Sequence, residues 1–317
     1  MKKPNNINNC ILCKSDKIKL LEKLSVSQLN DLYYNSFGFD IKNELDGDFI
    51  EFVECENCRL RFFEERAAGS AEFYENLQNH RKVYYNPNRP EFDYAKSFVE
   101  STDSVLEIGS GSGLFASKID VKKYVGLEFN ELAIEKAKAN NIELLNKSVE
   151  TFADESDDLF DVVCSFHVLE HVKSPKDFIE SSLKLLKKGG LLIISVPCND
   201  SIYTRNVNHV LNLPPHHISR WTLKSMDSIA EIYSLKVHDT KTHLDETNFN
   251  KRGYTKMILQ EKAISILHPK HKLLLENKKL NKINRVVSAL NNKLKLFRFS
   301  NADKVIGENI TYVFKKE

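Results

Sequence analysis

Val105-Leu106-Glu107-Ile108-Gly109-Ser110-Gly111-Ser112-Gly113 is the stretch that decides the fold. An apolar run ends directly in three glycines spaced two apart. A strand therefore passes into a tight turn, where backbone can approach a ligand closely and the following amides can point at it. The chain has only 11 glycines in 317 residues, so three at one turn answer a local requirement. A dinucleotide site would favour G-x-G-x-x-G around a pyrophosphate. Here the spacing is G-x-G-x-G, Leu114 stands where the third dinucleotide glycine would fall, and Glu107 lies just ahead of the turn. A carboxylate suits a cationic ligand better than a pyrophosphate.

Outward from this turn, Ser104–Ile108 reads as the first strand, with Leu114–Lys118 opening a first helix. Tyr124–Glu128 is the second strand, followed by a helix over Leu132–Asn140, and Glu143–Leu145 is a third. Asp161–Phe166 is the fourth, with a helix over Pro175–Lys187, and Leu191–Val196 is the fifth, behind turn glycines Gly189 and Gly190. Thr222 caps a helix over Leu223–Tyr233, and Lys236–Thr242 and Ile310–Phe314 are the last two strands. Alternating strands and helices predict an α/β, doubly wound, Rossmann-like sheet with an antiparallel last pair. Glu128, ending the second strand, can accept hydrogen bonds from both hydroxyls of a ribose.

Glu107-x-Gly109-x-Gly111-x-Gly113, the acidic end of the next strand, and Phe160-Asp161-Val162-Val163 followed by His167-Val168-Leu169-Glu170-His171-Val172 together carry a resemblance. Over about residues 104–200 the chain resembles the class I S-adenosylmethionine (SAM)-dependent methyltransferases. The resemblance implies SAM as cofactor, with Gly109, Gly111 and Gly113 along its methionine and ribose portions. Glu107 suits its ammonium and sulfonium, Glu128 would hold the ribose, and Ser148 and Val149 would lie beside the adenine. The family often has Asp at the Ser148 position, which leaves the adenine contact weaker or made by backbone. His167 would border the transferable methyl.

Cys10-x-x-Cys13 and Cys55-x-x-Cys58 form two knuckles, and four thiolates can close a tetrahedral, structural zinc site. The 41 residues between them (14–54) exceed the usual ribbon spacing of about 15–20, so an inserted hairpin or helix is needed. Redox use of CxxC is the rival reading, but neither pair opens a helix after a strand. Cys164 reads as a core residue, and Cys198 could border the cleft.

The segment after the fifth strand, Asn199 to Trp221, should line an acceptor pocket, because ligands of open α/β sheets sit beyond the carboxyl ends of the strands. It carries His209 and Leu213-Pro214-Pro215-His216-His217-Ile218-Ser219-Arg220-Trp221. A near-neutral histidine can take the proton of an acceptor hydroxyl. His217 is the preferred base and His216 the second, with His171 also open; the bland reading is a helix cap or a structural hydrogen bond. Pro-Pro should fix an extended backbone beside them. The four-cysteine module together with Pro-His-His-x-Ser-x-Trp resembles methyltransferases of sugar and surface-glycan biosynthesis, which implies a sugar or nucleotide-sugar acceptor. C-methylation of a keto-sugar, RNA methylation and a non-catalytic SAM-binding role are the alternatives.

Charge is uneven. Residues 251–298 hold 13 Lys/Arg against Glu261 and Glu276, a net of +11, which leaves −9 elsewhere in a chain of net charge +2. Leu280, Ile283, Val287, Leu290, Leu294 and Phe297 recur at spacings of 3 and 4, a helical stripe with lysines off it. The stripe could pack on the catalytic domain, form a homodimer seam over 273–298, or lie on an anionic membrane surface or RNA. Glu51, Glu54, Glu56, Glu64 and Glu65 around the second knuckle argue against nucleic acid. The expected organisation is a zinc module over 1–66, a helical connection over 67–103, and a catalytic domain over 104–317 with a basic insertion at 246–304. The polar N-terminus lacks the apolar core of a secretory signal, and the expected location is the cytoplasm.

Overall fold

The computed structural model describes residues 7–64, 67–80, 89–244, 251–270, 273–293 and 305–317. The strands are β1 Ile18–Ser25, β2 Phe49–Cys55, β3 Arg61–Phe63, β4 Ser104–Ile108, β5 Lys123–Leu127, β6 Leu144–Leu145, β7 Phe160–Phe166, β8 Leu186–Pro197, β9 Ser219–Arg220, β10 Leu235–His243 and β11 Asn309–Lys316. The α-helices are α1 Val26–Phe37, α2 Ala71–His80, α3 Pro90–Lys96, α4 Glu131–Ala139, α5 Val149–Glu155, α6 Pro175–Lys184, α7 Leu223–Tyr233, α8 Lys251–Leu267 and α9 Asn277–Lys293.

The large sheet runs β10-β11-β8-β7-β4-β5-β6. Strands β4 to β8 pair in parallel, whereas β11 runs antiparallel to both β8 and β10. All five residues of β4 are buried, as a central strand covered on both faces requires. Strand order reverses at β4, with β5 on one side and β7 on the other, and this switch point opens a crevice at the carboxyl ends.

Three local expectations are corrected. No α-helix forms over Leu114–Lys118; a turn and one 3-10 turn at Ala116–Lys118 take its place. Gly113 is left-handed (φ 76°) and Ile119 already extended, which leaves room for a single turn. Helix α6 ends at Lys184, and β8 begins at Leu186, before the two glycines. Gly189, at φ 79°, lets the strand kink within itself, and the register with β7 shifts there. Pro214-Pro215 is a cis peptide within a turn over 214–216, not an extended segment.

The smaller sheet runs β1-β2-β3-β9, all antiparallel. Strand β1 and helix α1 fill the long gap between the cysteine pairs. Its last strand, β9, comes from the segment after β8, so Arg61 and Phe62 pair with Arg220 and Ser219. Leu213 and Ile218 pack into the same core as Leu29, Tyr33 and Phe63, which ties the segment after β8 to the N-terminal module. Trp221 is fully buried and its indole N–H donates to Ser219 Oγ at 3.0 Å.

In the basic insertion, Ile283 and Val287 of α9 pack with Ile264 of α8 and Leu275, and Leu280 and Val207 lie against them. Leu290 is 47% exposed, while Lys278, Lys279, Lys282 and Arg285 face solvent. Leu294 and Phe297 of the expected stripe, and Lys295 off it, lie outside the described residues. Among the described residues, no helix is long and apolar enough to cross a membrane.

Candidate functional site

A cleft of about 2200 Å³ opens at the carboxyl ends of the parallel strands. Gly109 and Gly111 line it in left-handed conformations, at φ 72° and 55°. A Cβ on Gly109 would lie 2.3 Å from Val168 Cγ2, so at φ 72° any side chain here would be both strained and crowded. Gly113 sits a step back, where a Cβ would come within 2.8 Å of Ile142 Cδ1.

Glu128 follows β5 and lies over the glycine turn. Its Oε2 accepts from the Gly111 N–H at 2.7 Å, and its Oε1 from the Phe129 and Asn130 N–H groups at 2.8 and 2.9 Å. Glu107 lines the cleft yet is 2% exposed, and accepts from the Tyr124 hydroxyl at 2.5 Å. Burial pushes its carboxyl up to about 8, against the pull of that hydrogen bond, and the nearby Glu128 adds to the rise. Ser148 and Val149 also line the cleft, but the Ser148 hydroxyl is engaged as the cap of α5, accepting from the Thr151 N–H at 3.1 Å.

At the other end of the cleft three imidazoles meet. His171 comes from the 3-10 turn after β7, and His216 and His217 from the Pro-Pro turn. The His216 and His217 rings stack at 4.5 Å, and His171 stands edge-on to both at 4.7 Å. His217 Nδ1 lies 2.9 Å from Asn212 Oδ1, and His216 Nδ1 2.7 Å from the Leu211 carbonyl. Burial holds His217 well below the usual histidine range, and the neighbouring His216 and His171 depress it further, so the ring is neutral near pH 7. Burial lowers His171 as well.

Beneath the rings lies Glu170, 1% exposed, with neither carboxylate oxygen hydrogen-bonded. Three imidazole nitrogens lie within 4 Å of its Oε1: His167 Nδ1 at 3.5 Å, and His171 Nε2 and His217 Nε2 each at 3.9 Å. His167, at φ 57°, reaches Glu91 Oε1 with its Nε2 at 3.4 Å. Burial opposes its charge, but Glu170 and Glu91 outweigh burial and raise its pKa. Burial likewise works against ionised Glu91, and His167 overcomes it, bringing that carboxyl down to about 2.

A family model described as "Methyltransferase domain" matches residues 61–240. The chain belongs to this methyltransferase family. Among its relatives, the "Ubiquinone biosynthesis O-methyltransferase, mitochondrial" of Dictyostelium discoideum is 33% identical over 110 residues, 29% of this chain and 34% of that protein. A "Ubiquinone biosynthesis O-methyltransferase" of Vibrio cholerae is 25% identical over 191 residues, 58% of this chain and 71% of that protein. The match spans between 34% and 50% of the length of the first three such relatives. A SAM-dependent methyltransferase from Archaeoglobus fulgidus overlays at a TM-score of 0.46 and 16% identity, across 80% of this chain and 97% of that one.

In this methyltransferase the four cysteines form a second cluster, with their sulfurs within 4.8 Å of one another. Cys10 Sγ to Cys58 Sγ and Cys13 Sγ to Cys55 Sγ are each 3.5 Å, against about 3.8 Å for the edge of a tetrahedron of sulfurs around zinc. Both knuckles close alike: Lys14 and Arg59 are left-handed, and each donates its N–H back to the first cysteine's carbonyl, Cys10 at 3.1 Å and Cys55 at 2.9 Å. The Leu12 N–H points at Cys10 Sγ from 3.4 Å, a bond that suits a thiolate. The donor set and its spacing fit a closed zinc site. Cys198, in contrast, is fully buried and does not border the cleft.

Sequence reasoning missed Glu91 and Asn212 and gave Glu170 no role of its own. The His167-x-x-Glu170-His171 spacing is a signal for Glu170. Nothing in the sequence marks Glu91, in the first turn of α3, or Asn212, whose role depends on the Pro-Pro turn.

Proposed function

We propose that this protein transfers a methyl group from SAM to a hydroxyl of a small polar acceptor, a sugar or nucleotide-sugar. The observation that carries the reading is one cleft holding both the Glu107–Glu128 glycine turn and the imidazole cluster. Polar side chains, among them Tyr203, His209, Asn212 and Asn309, line the wall around the cluster, which suits a hydroxyl-rich acceptor. Gly109, Gly111, Gly113, Glu107, Glu128, Ser148, Val149 and His167 would hold the cofactor, with His167 beside the methyl. The acceptor oxygen attacks the sulfonium methyl, the S–CH₃ bond breaks to leave a neutral thioether, and the hydroxyl proton passes to His217 Nε2, with His216 as its neighbour in the cluster. His217 suits this because its Nδ1 is tied to Asn212, which leaves Nε2 to accept. Alignment of the reactants supplies much of the rate.

Cys10, Cys13, Cys55 and Cys58 would hold a structural zinc ion that locks the two knuckles. The protein would work in the cytoplasm, and the half-exposed outer face of α9 is where a second copy or a membrane surface would be met.

A second reading is a phenolic acceptor, favoured by relatives named as ubiquinone biosynthesis O-methyltransferases. The test is transfer of labelled methyl from SAM into fractionated extract by wild type and His217→Ala. Label in nucleotide-sugars or glycans that the variant fails to place supports the first reading. Label in phenolic lipids selects the second, and label in RNA overturns both.

A further inference from the structure

We propose that His171, His216, His217 and Glu170 form a second metal site, which binds a divalent transition-metal ion at the acceptor end of the cleft. The proposal deepens the reading of this cluster as the place where the acceptor is activated, and rests on it for the role of the ion. The coordinating nitrogens of the three histidines lie within 4.8 Å of one another.

The tautomers carry the argument. His171 Nδ1 lies 2.6 Å from the His216 carbonyl, His216 Nδ1 2.7 Å from the Leu211 carbonyl, and His217 Nδ1 2.9 Å from Asn212 Oδ1. The Asn212 amide cannot be reversed without loss, because its Nδ2 donates to the Thr204 carbonyl at 2.7 Å. Each of these oxygens can only accept, so a neutral ring at each position carries its proton on Nδ1 and its lone pair on Nε2. That is how proteins prepare histidines for metals: an oxygen on the far nitrogen fixes the tautomer and aims the other.

Glu170 adds what the rings lack. Its oxygens are buried without a hydrogen bond; Oε1 lies 3.5 Å from His167 Nδ1 and faces His171 Nε2 and His217 Nε2, each at 3.9 Å. His167, shared with Glu91, answers part of that carboxylate's charge, and a cation among the three rings would answer the Nε2 lone pairs that face it. Three imidazoles with a carboxylate are the donors of Zn²⁺, Fe²⁺ or Co²⁺ rather than of Mg²⁺ or Ca²⁺. All four residues line the cleft, so an ion there keeps a face open to an acceptor oxygen, unlike one among the four cysteines. With an ion bound, His217 Nε2 would be a ligand instead of the base; the ion would polarise the acceptor hydroxyl, whose proton would leave to water at the open face of the cleft.

The test is metal content and Co²⁺ spectroscopy on the full-length protein loaded with zinc at the cysteines. Wild type should take up a further Co²⁺ ion with visible ligand-field bands and no thiolate charge-transfer band. His217→Ala and His171→Ala should each lose that ion, by at least tenfold in affinity, while SAM affinity measured by calorimetry stays unchanged and shows the fold intact. A wild type that binds no ion beyond the cysteine site overturns the proposal. Methyl transfer by such a protein leaves the proposed function standing without the metal. A further ion bound in a protein that methylates nothing has the opposite meaning.

Discussion

Among the described residues, two clusters of metal-type side chains differ in what surrounds them. Cys10, Cys55 and Cys58 are at most 2% exposed, and their knuckles fold back on themselves through Lys14 and Arg59. His171, His216, His217 and Glu170 line a cleft shared with the glycine turn. A closed cluster has nowhere to put a substrate, so the free energy of an ion bound there would go into holding β1, β2 and β3 in place. An open cluster contributes less to the fold and is held by it, through Asn212, Leu211 and the turn between β8 and β9.

The sharpest way to break that comparison is Cys55→Ser. If the cysteine cluster holds the fold, the loss approaches the roughly 10 kcal/mol that structural zinc contributes in small domains, and the melting temperature falls steeply, with a similar fall on chelation. An unchanged melting curve would end the distinction. His217→Ala should do the reverse: kcat falls on the order of 10²- to 10⁴-fold, with the melting curve nearly unmoved. Gly109→Ala lies between these extremes. It forces a Cβ into left-handed backbone and against Val168, costing about 1–3 kcal/mol of stability and weakening SAM binding, which calorimetry would read.

A pH series sharpens the cofactor end. The Glu107 carboxyl sits at about 8, above its ordinary value, so it is largely protonated at pH 7. A cationic cofactor prefers it ionised. SAM affinity should therefore rise with pH up to about 8, by at most tenfold per unit, with a proton released on binding. Glu107→Gln should flatten that slope, and a flat slope in wild type would remove Glu107 from the site.

The smallest effect is a control at the far end of β7. Asp161 pairs with Lys187 at 2.8 Å and accepts from the Ser104 hydroxyl and N–H, which hold it at about 2 despite partial burial. Because the folded value lies below the ordinary one, its contribution is present above about pH 4 and lost as pH falls through about 2. The pair is partly exposed, so Asp161→Asn should cost under about 1 kcal/mol at pH 7, a gap that closes toward pH 2 in chemical denaturation, with methyl transfer unaffected.

The catalytic sheet was legible because its signals are local. Apolar runs of strand length, glycines at the first turn and Thr222 before α7 each act within a few residues; Thr222 is the expected cap, and the structure adds a capping box with Ser225. Errors came where two local signals compete. Leu114–Lys118 is apolar enough for a helix, but Gly113 and Ile119 bound it too closely, and Gly189-Gly190 reads as a turn although the strand runs through it.

The sequence by itself determined the α/β alternation, the glycine turn with its two acidic neighbours, and the pairing of four cysteines into knuckles, because each depends on spacing along the chain. Tertiary structure alone decided that β9 completes the sheet of the N-terminal module. It also decided that Glu91, 76 residues before His167, meets that ring, and that His171 joins His216 across 45 residues. Those contacts depend on where the chain returns after β8, and on which nitrogen of each imidazole is already bonded. No periodicity in the sequence encodes either.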